Sequence, residues 1–300
     1  MVMIKYSSRI LASIFIILVL LTGCSSNTYS YLSILEIDKL STTIDKQCTI
    51  AIIDTGINPV YSNEHKNNII NAYNVLDGSQ NVIDEHGHGT EMTSIILGDE
   101  KTGLIGIDPK ASIMVIKAID GSGKTDNSNI ARAIEYLLNL DELPNIINLS
   151  LGSLNDDPFL KEEIRQAVDS GIIVVAAVGD YNQKDILYPA AYSGVISIQA
   201  VDINNNLEVM SNTSELTTLS FPGVNINVLS FDKDQRIIRQ CSGSSVATAL
   251  ASGYFSLFIS NCKNQGVDIT YDKLFDNIQS NIDDDKNLNY NAFVKIDNME

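Results

Sequence analysis

Basic residues are scarce in this 300-residue chain: 20 Lys and Arg stand against 37 Asp and Glu, giving a formal charge of −17. A surface of that sign repels phosphate backbones, so nucleic acid is excluded as a partner, while cationic peptides are mildly favoured. Histidine is scarcer still, with three residues, which narrows the search for a catalytic base. The four cysteines, Cys24, Cys48, Cys241 and Cys262, include no pair at metal-ligand spacing. Neither a metal nor a cofactor is expected. No Gly-x-Gly-x-x-Gly follows the first strand-like run, which removes the nucleotide-binding α/β class. Internal repeats and linkers are lacking too. What remains, 44% apolar and 19% charged, is the composition of an ordinary globular protein.

The N-terminus stands apart from this composition. Lys5 and Arg9 precede an apolar run, residues 10–21, that is too short to span a bilayer comfortably and ends in Leu21-Thr22-Gly23-Cys24. A basic start, an apolar middle and small residues before a break read as an export signal. The ending resembles the bacterial lipobox, which implies acylation of Cys24 after removal of residues 1–23. Two or three acyl chains hold a protein stably on a membrane where one does not. The expected location is therefore the extracytoplasmic face of the cell membrane. With Cys24 lipidated, at most one disulfide is left to the other three cysteines. Residues 24–47 are expected to form a lipidated tether, polar at first, in which Leu32, Leu35, Ile37 and Leu40 could dock as a small helix.

From Cys48 onward the pattern alternates. Strands are expected at 49–53, 113–119, 146–151, 172–178 and 195–201. Helices are expected at 90–97, at 126–140 with Asp126 or Ser128 as cap, and from Asp157-Pro158 to Ser170. Alternation of this kind implies an α/β fold, with a mostly parallel twisted sheet and helices on both faces. One domain, residues 48–300, is the economical reading, and a monomer is expected. Such sheets bind ligands beyond the carboxyl ends of their strands.

Hydrolysis by a serine nucleophile needs an activated hydroxyl, an imidazole to take its proton, and a carboxylate to orient that imidazole. His65 lies in the polar stretch Asn63-Glu64-His65-Lys66-Asn67 and reads as solvated. His86 and His88 lie in Asp84-Glu85-His86-Gly87-His88-Gly89-Thr90, before the first strong helix. Ile52-Ile53-Asp54-Thr55-Gly56 is a strand ending in a loop, and Gly243-Ser244-Ser245-Val246-Ala247-Thr248-Ala249 opens an apolar helix of small residues. These three motifs, in this order, resemble the Asp, His and Ser motifs of the subtilisin-like serine proteases. The order Asp, His, Ser is that of subtilisin.

The resemblance covers about residues 48–262 and implies a serine endopeptidase in which Ser245 attacks, His88 is the base and Asp54 orients it. It implies substrate walls at Asp120-Gly121-Ser122-Gly123, expected as a strand that pairs with the substrate backbone, at Ser150-Leu151-Gly152 facing it, and a pocket lined by Ala177, Val178, Gly179 and Leu187. Glycines at such walls let two backbones approach closely. The partner is then a peptide or protein substrate. Asp180 falls where the family has an Asn that donates to the oxyanion, and an ionised Asp cannot donate. Losing that donor costs subtilisin, a member of the family, about 10²–10³ in turnover. The loop from Gly98 to Leu104 corresponds to a calcium loop of secreted members, with Asp99 and Glu100 as possible ligands, but it is short and no metal is expected. About two dozen residues separate Cys24 from Cys48, too few for a folded pro-domain. That is similar to the dedicated processing peptidases of peptide-toxin systems. The rival reading is a pseudoprotease: a lipoprotein that binds a peptide as an immunity or sensor factor with little or no catalysis.

Overall fold

The computed structural model describes Leu32, Leu35, Ile37 and residues 47–288 apart from 209 and 285. Residues 1–31, which hold the signal-like run and Cys24, lie outside the described residues. The centre of the molecule is β1 (Thr49–Asp54). Its side chains alternate between two cores: Ile50 and Ile52 face one, Ala51 and Ile53 the other. A strand buried on both faces reads in sequence as an unbroken apolar run, as this one does.

Among the described residues ten further strands follow in chain order: β2 (Ile69–Asn74), β3 (Gly98–Asp99), β4 (Leu104–Ile105), β5 (Ser112–Lys117), β6 (Ile146–Leu149), β7 (Ile173–Ala177), β8 (Val195–Val201), β9 (Leu219–Pro222), β10 (Ile226–Asp232) and β11 (Gln235–Cys241). Helices are interleaved with them: α1 (Pro59–Glu64), α2 (His88–Leu97), α3 (Asn127–Leu138), α4 (Pro158–Asp169), α5 (Ser244–Asn264) and α6 (Tyr271–Ser280). Seven strands form one sheet in the order β2-β5-β1-β6-β7-β8-β9. Every pairing in it is parallel. The chain adds β2 and β5 on one side of β1 and then crosses to add β6 to β9 on the other. The switch point is therefore at β1, whose carboxyl end is Asp54.

Helices α3 and α4 start where the sequence says they should. Asp126 caps α3 by accepting the Asn129 N–H, and Asp157 caps α4, with Pro158 in the first turn, by accepting from Phe159 and Leu160. Both helices cover one face of the sheet, with Ile130, Ile134, Leu137, Leu160 and Ile164 in the core there. On the other face α5 is buried through nearly all of its 21 residues and packs on β6 to β9 and on α2. Leu35 is fully buried in that second core, and Leu32 and Ile37, both helical, pack against it. The core thus draws on residues ahead of Cys48.

Candidate active site

Three elements end or begin together at the carboxyl edge of the sheet. Strand β1 delivers Asp54, which is 1% exposed. Helix α2 begins with His88, whose Nδ1 lies 2.8 Å from Asp54 Oδ1 and 2.9 Å from Oδ2, so one N–H is shared by both carboxylate oxygens. Asp54 Oδ1 also accepts the Thr55 N–H at 2.7 Å. Helix α5 begins with Ser244 and Ser245.

The loop before α2 is held by Asp84. Its Oδ1 accepts the amides of His86 and Gly87, and its Oδ2 accepts the amide and hydroxyl of Thr90. Burial pushes the Asp84 carboxyl up, but these hydrogen bonds outweigh it and hold the pKa below the usual carboxylate range. Gly89 must be glycine, because a Cβ there would stand 2.3 Å from the Gly56 carbonyl oxygen. That close approach, with the Gly89 N–H on Thr55 Oγ1 at 2.8 Å, fixes His88 over Asp54.

A residue that sequence reasoning passed over reinforces the same junction. Lys117, at the end of β5 and 5% exposed, donates to the Thr55 carbonyl at 2.7 Å, the Ile83 carbonyl at 2.9 Å and Glu85 Oε2 at 2.7 Å. One ammonium therefore ties the loop after Asp54 to the loop before His88. The only sequence signal was a lysine closing an apolar strand, where a charge would otherwise be unpaired.

Burial alone would lower the His88 pKa. The Asp54 charge and hydrogen bond outweigh burial and, with Glu91 and Asp84 adding, raise it to about 9. Glu91 is buried one turn along α2 and paired with Arg239 Nη2 at 2.6 Å.

Ser245 is placed by a separate network. Its Oγ donates to the Ser150 carbonyl at 3.0 Å, while Ser150 Oγ donates to the Ser245 carbonyl at 2.9 Å. Asn148 backs this pair: its Nδ2 donates to Ser150 Oγ at 3.1 Å and its Oδ1 accepts from Ser252 at 2.9 Å. Among the described residues the hydroxyl's partner is thus Ser150 rather than His88. The structure brings Asp54 and His88 into contact and sets Ser245 at the head of the facing helix.

Asp180 sits beside the start of α5. Its Oδ1 accepts the Ser244 N–H at 2.8 Å and its Oδ2 accepts the Ser244 hydroxyl at 3.1 Å, while Ser244 Oγ accepts the Gly179 N–H at 3.1 Å. The N-cap residue, Gly243, offers no side chain, so Asp180 serves as the cap from another loop. Burial pushes the Asp180 carboxyl up, the two bonds from Ser244 oppose this, and Glu208 adds to the rise. The Ser245 N–H is one of the first-turn amides that a helix cannot satisfy itself.

The expected substrate walls fare unevenly. Asp120 to Gly123 form an exposed turn, where a strand was expected. Asp120 Oδ1 accepts from Ser122 N, Ser122 Oγ and Lys124 N, and Gly123 has φ of +76°, which curls the segment. Gly121 and Gly123 pack against Glu85 and His86. Ser150 is buried and Leu151 and Gly152 border a cavity of about 530 Å³ reaching to Ile130 and Leu160. Ala177 ends β7. Val178 is fully buried with its N–H on Ile198 and its carbonyl taken by Leu187 and Asn212, so it contributes wall and no free hydrogen-bonding group. Gly179 is buried beside it.

Among the described residues no group of three or more His, Cys, Asp or Glu side chains could hold a metal ion. In the Gly98–Leu104 region Asp99 accepts from Thr102 N and Oγ1 and faces Arg236, and Glu64 pairs with Lys101 and Arg236. Carboxylates already answered by basic side chains do not fit a calcium ligand set. Cys48, Cys241 and Cys262 are free thiols.

The sequence model of the subtilase family matches residues 45–290. Minor extracellular protease Epr of Bacillus subtilis (strain 168) is 33% identical over 215 residues, 71% of this chain and 32% of its own length. The major intracellular serine protease of the same strain is 33% identical over 224 residues, 71% of this chain and 68% of its own. Subtilisin DY of Bacillus licheniformis is 31% identical over 218 residues, 70% of this chain and 76% of its own. The chain therefore spans about a third of Epr and about two thirds or more of the other two. A solved structure, the prenylagaramide maturation protease PagA, superimposes with a TM-score of 0.71 at 22% identity, covering 86% of this chain and 96% of that one.

Proposed function

Because the chain belongs to the subtilase family, we propose that it is a serine endopeptidase that cleaves extracytoplasmic peptides or proteins through an acyl-enzyme formed on Ser245. In acylation the Ser245 hydroxyl exchanges the Ser150 carbonyl for Nε2 of His88, which takes its proton as the oxygen attacks the substrate carbonyl. Catalytic hydrogen bonds are often loose in the free enzyme and tighten when substrate binds. Asp54 holds the imidazole through Nδ1 and stabilises the imidazolium. As the amine leaves, His88 returns the proton to it. Water then attacks the acyl-enzyme by the same route in reverse. The Ser245 N–H, at the positive end of a 21-residue helix, stabilises the oxyanion.

The observation that carries this reading is the His88 Nδ1 contact with both oxygens of a buried Asp54, 2.8 and 2.9 Å, opposite the start of α5. Cys24 is proposed as a lipid anchor on the resemblance of residues 21–24 to a lipobox. PagA is a maturation protease, and its likeness to this chain makes a dedicated processing role the favoured one. A fluorophosphonate should label Ser245, located by mass spectrometry, and Ser245→Ala should abolish labelling and peptide cleavage together. Undiminished cleavage by Ser245→Ala would remove Ser245 from the mechanism.

A further inference from the structure

Strands β6 and β7 are parallel neighbours, paired at Leu149 and Ala176. Beyond Leu149 and from Ala177 the chain continues as Ser150–Gly152 and Ala177–Gly179, and both segments touch the start of α5. Ser245 Oγ meets the Ser150 carbonyl at 3.0 Å, and the Gly179 N–H meets Ser244 Oγ at 3.1 Å. A slit between two segments therefore opens directly at Ser245. A reacting carbonyl must lie within about 3–3.5 Å of the attacking oxygen. The side chain of that same residue starts two bonds further on, at a reach of about 5 Å or more. The slit is the space at that reach whose walls are both bonded to the α5 start.

The slit has a floor. The Leu187 N–H donates to the Val178 carbonyl at 2.9 Å, and Tyr188 exchanges backbone bonds of 2.9 and 2.8 Å with Ser153. Residues 187 and 188 thus bridge the two walls. The Leu187 side chain fills what lies between them. A Cβ on Gly152 would stand 2.7 Å from Leu187 Cβ and Cδ1, and a Cβ on Gly179 would stand 2.6 Å from the same Cδ1. One methyl group therefore touches both facing glycines, and Leu187 is only 4% exposed. The leucine thus already occupies the space between the two glycines.

Resting on the reading of Ser245 as nucleophile, we infer that Leu187 sets the specificity of cleavage, by restricting the residue that supplies the scissile carbonyl to glycine, alanine or serine. Leu, Phe and other large residues at that position meet the Leu187 side chain before the carbonyl reaches Ser245. The side chain that fills the slit is apolar, so selection is by size.

Peptidyl diphenyl phosphonates that differ only in the side chain at the reacting position test this, with inactivation rates as the readout. A simple fluorophosphonate, which has no such side chain, reports the nucleophile separately. The wild-type enzyme should be inactivated by the alanine phosphonate at least about tenfold faster than by the leucine or phenylalanine ones, since one methylene in a pocket is worth about 10–200-fold. Leu187→Ala should raise the phenylalanine-to-alanine ratio by tenfold or more, and Leu187→Val, a milder change for a buried residue, should raise it less. Simple fluorophosphonate labelling should stay within a few-fold in both variants. A wild-type preference for large side chains overturns the inference whether or not either variant folds. So does a ratio that Leu187→Ala leaves unmoved. In both cases simple labelling of Ser245 keeps the nucleophile reading intact, whereas failure of that labelling removes both readings.

Discussion

In the proposed mechanism His88 has to be neutral to take a proton, and its neighbours oppose that. Its pKa is raised from 6.5 to about 9. The kcat/KM for a fixed peptide should therefore climb about tenfold per pH unit from pH 7 and level off above pH 9, with pH 7 activity roughly one hundredth of the plateau. Glu91→Gln removes one of the charges that raise it and should move this limb to lower pH. A wild-type midpoint near 6.5 would refute the assigned electrostatics. Stability runs in the opposite direction. A pKa raised on folding means the protonated form is favoured by the fold: its contribution is complete below pH 6.5 and disappears as pH rises through about 9. The melting-temperature gap between wild type and His88→Ala should shrink across that window, so the enzyme is best stabilised where it is least active.

The element that carries Ser245 is capped from outside. Asp180 satisfies the Ser244 amide, and a lost cap costs about 0.5–2 kcal/mol. Asp180→Ala should therefore lower the unfolding free energy by that amount in denaturant titration. Asp180→Asn keeps an acceptor for the Ser244 N–H and removes a negative charge at the start of α5, where the proposed oxyanion would form, so it should lose less stability and raise kcat at neutral pH. A kcat that stays flat or falls in Asp180→Asn would show that the carboxylate does not repel the oxyanion. Most of the sheet and its covering helices were legible in the sequence, because buried parallel strands and capped amphipathic helices carry local signals. Thus β1 shows a continuous apolar run and α4 its Asp157-Pro158 start. The edge strand β2 has mixed burial, and the exposed β11 shows no alternation, so neither offered such a pattern. The chemistry-bearing motifs were equally plain. What stayed hidden were contacts across long stretches of chain: Lys117 reaches Thr55 over 62 positions, and Asp180 reaches Ser244 over 64. The segment Asp120–Gly123 was misread as a strand because its glycines suit either close pairing or a turn, and the Asp120 side chain decides for the turn.

At the scale of the molecule, the burial of Leu35 and the packing of Leu32 and Ile37 bear on the proposed anchor. Cys24 and Leu32 are only eight positions apart (32 − 24), at most about 28 Å when fully extended. An acylated Cys24 would hold the domain close against the lipid surface and limit it to substrates that come within that distance. Cys24→Ser should abolish acylation and leave the signal uncleaved, whereas a native, acyl-free protein recovered from the medium would refute the anchor. The three residues proposed for the reaction, Asp54, His88 and Ser245, are separated by 34 (88 − 54) and 157 (245 − 88) positions. The last of them heads the helix on which one whole core is assembled. A chain made from its N-terminus can complete α2 and all seven strands of the main sheet while it still lacks Ser245. Proteolysis is thereby timed by synthesis itself: an unfinished chain has no means to cut its neighbours or itself, and activity arrives only once the fold that must survive it is closed.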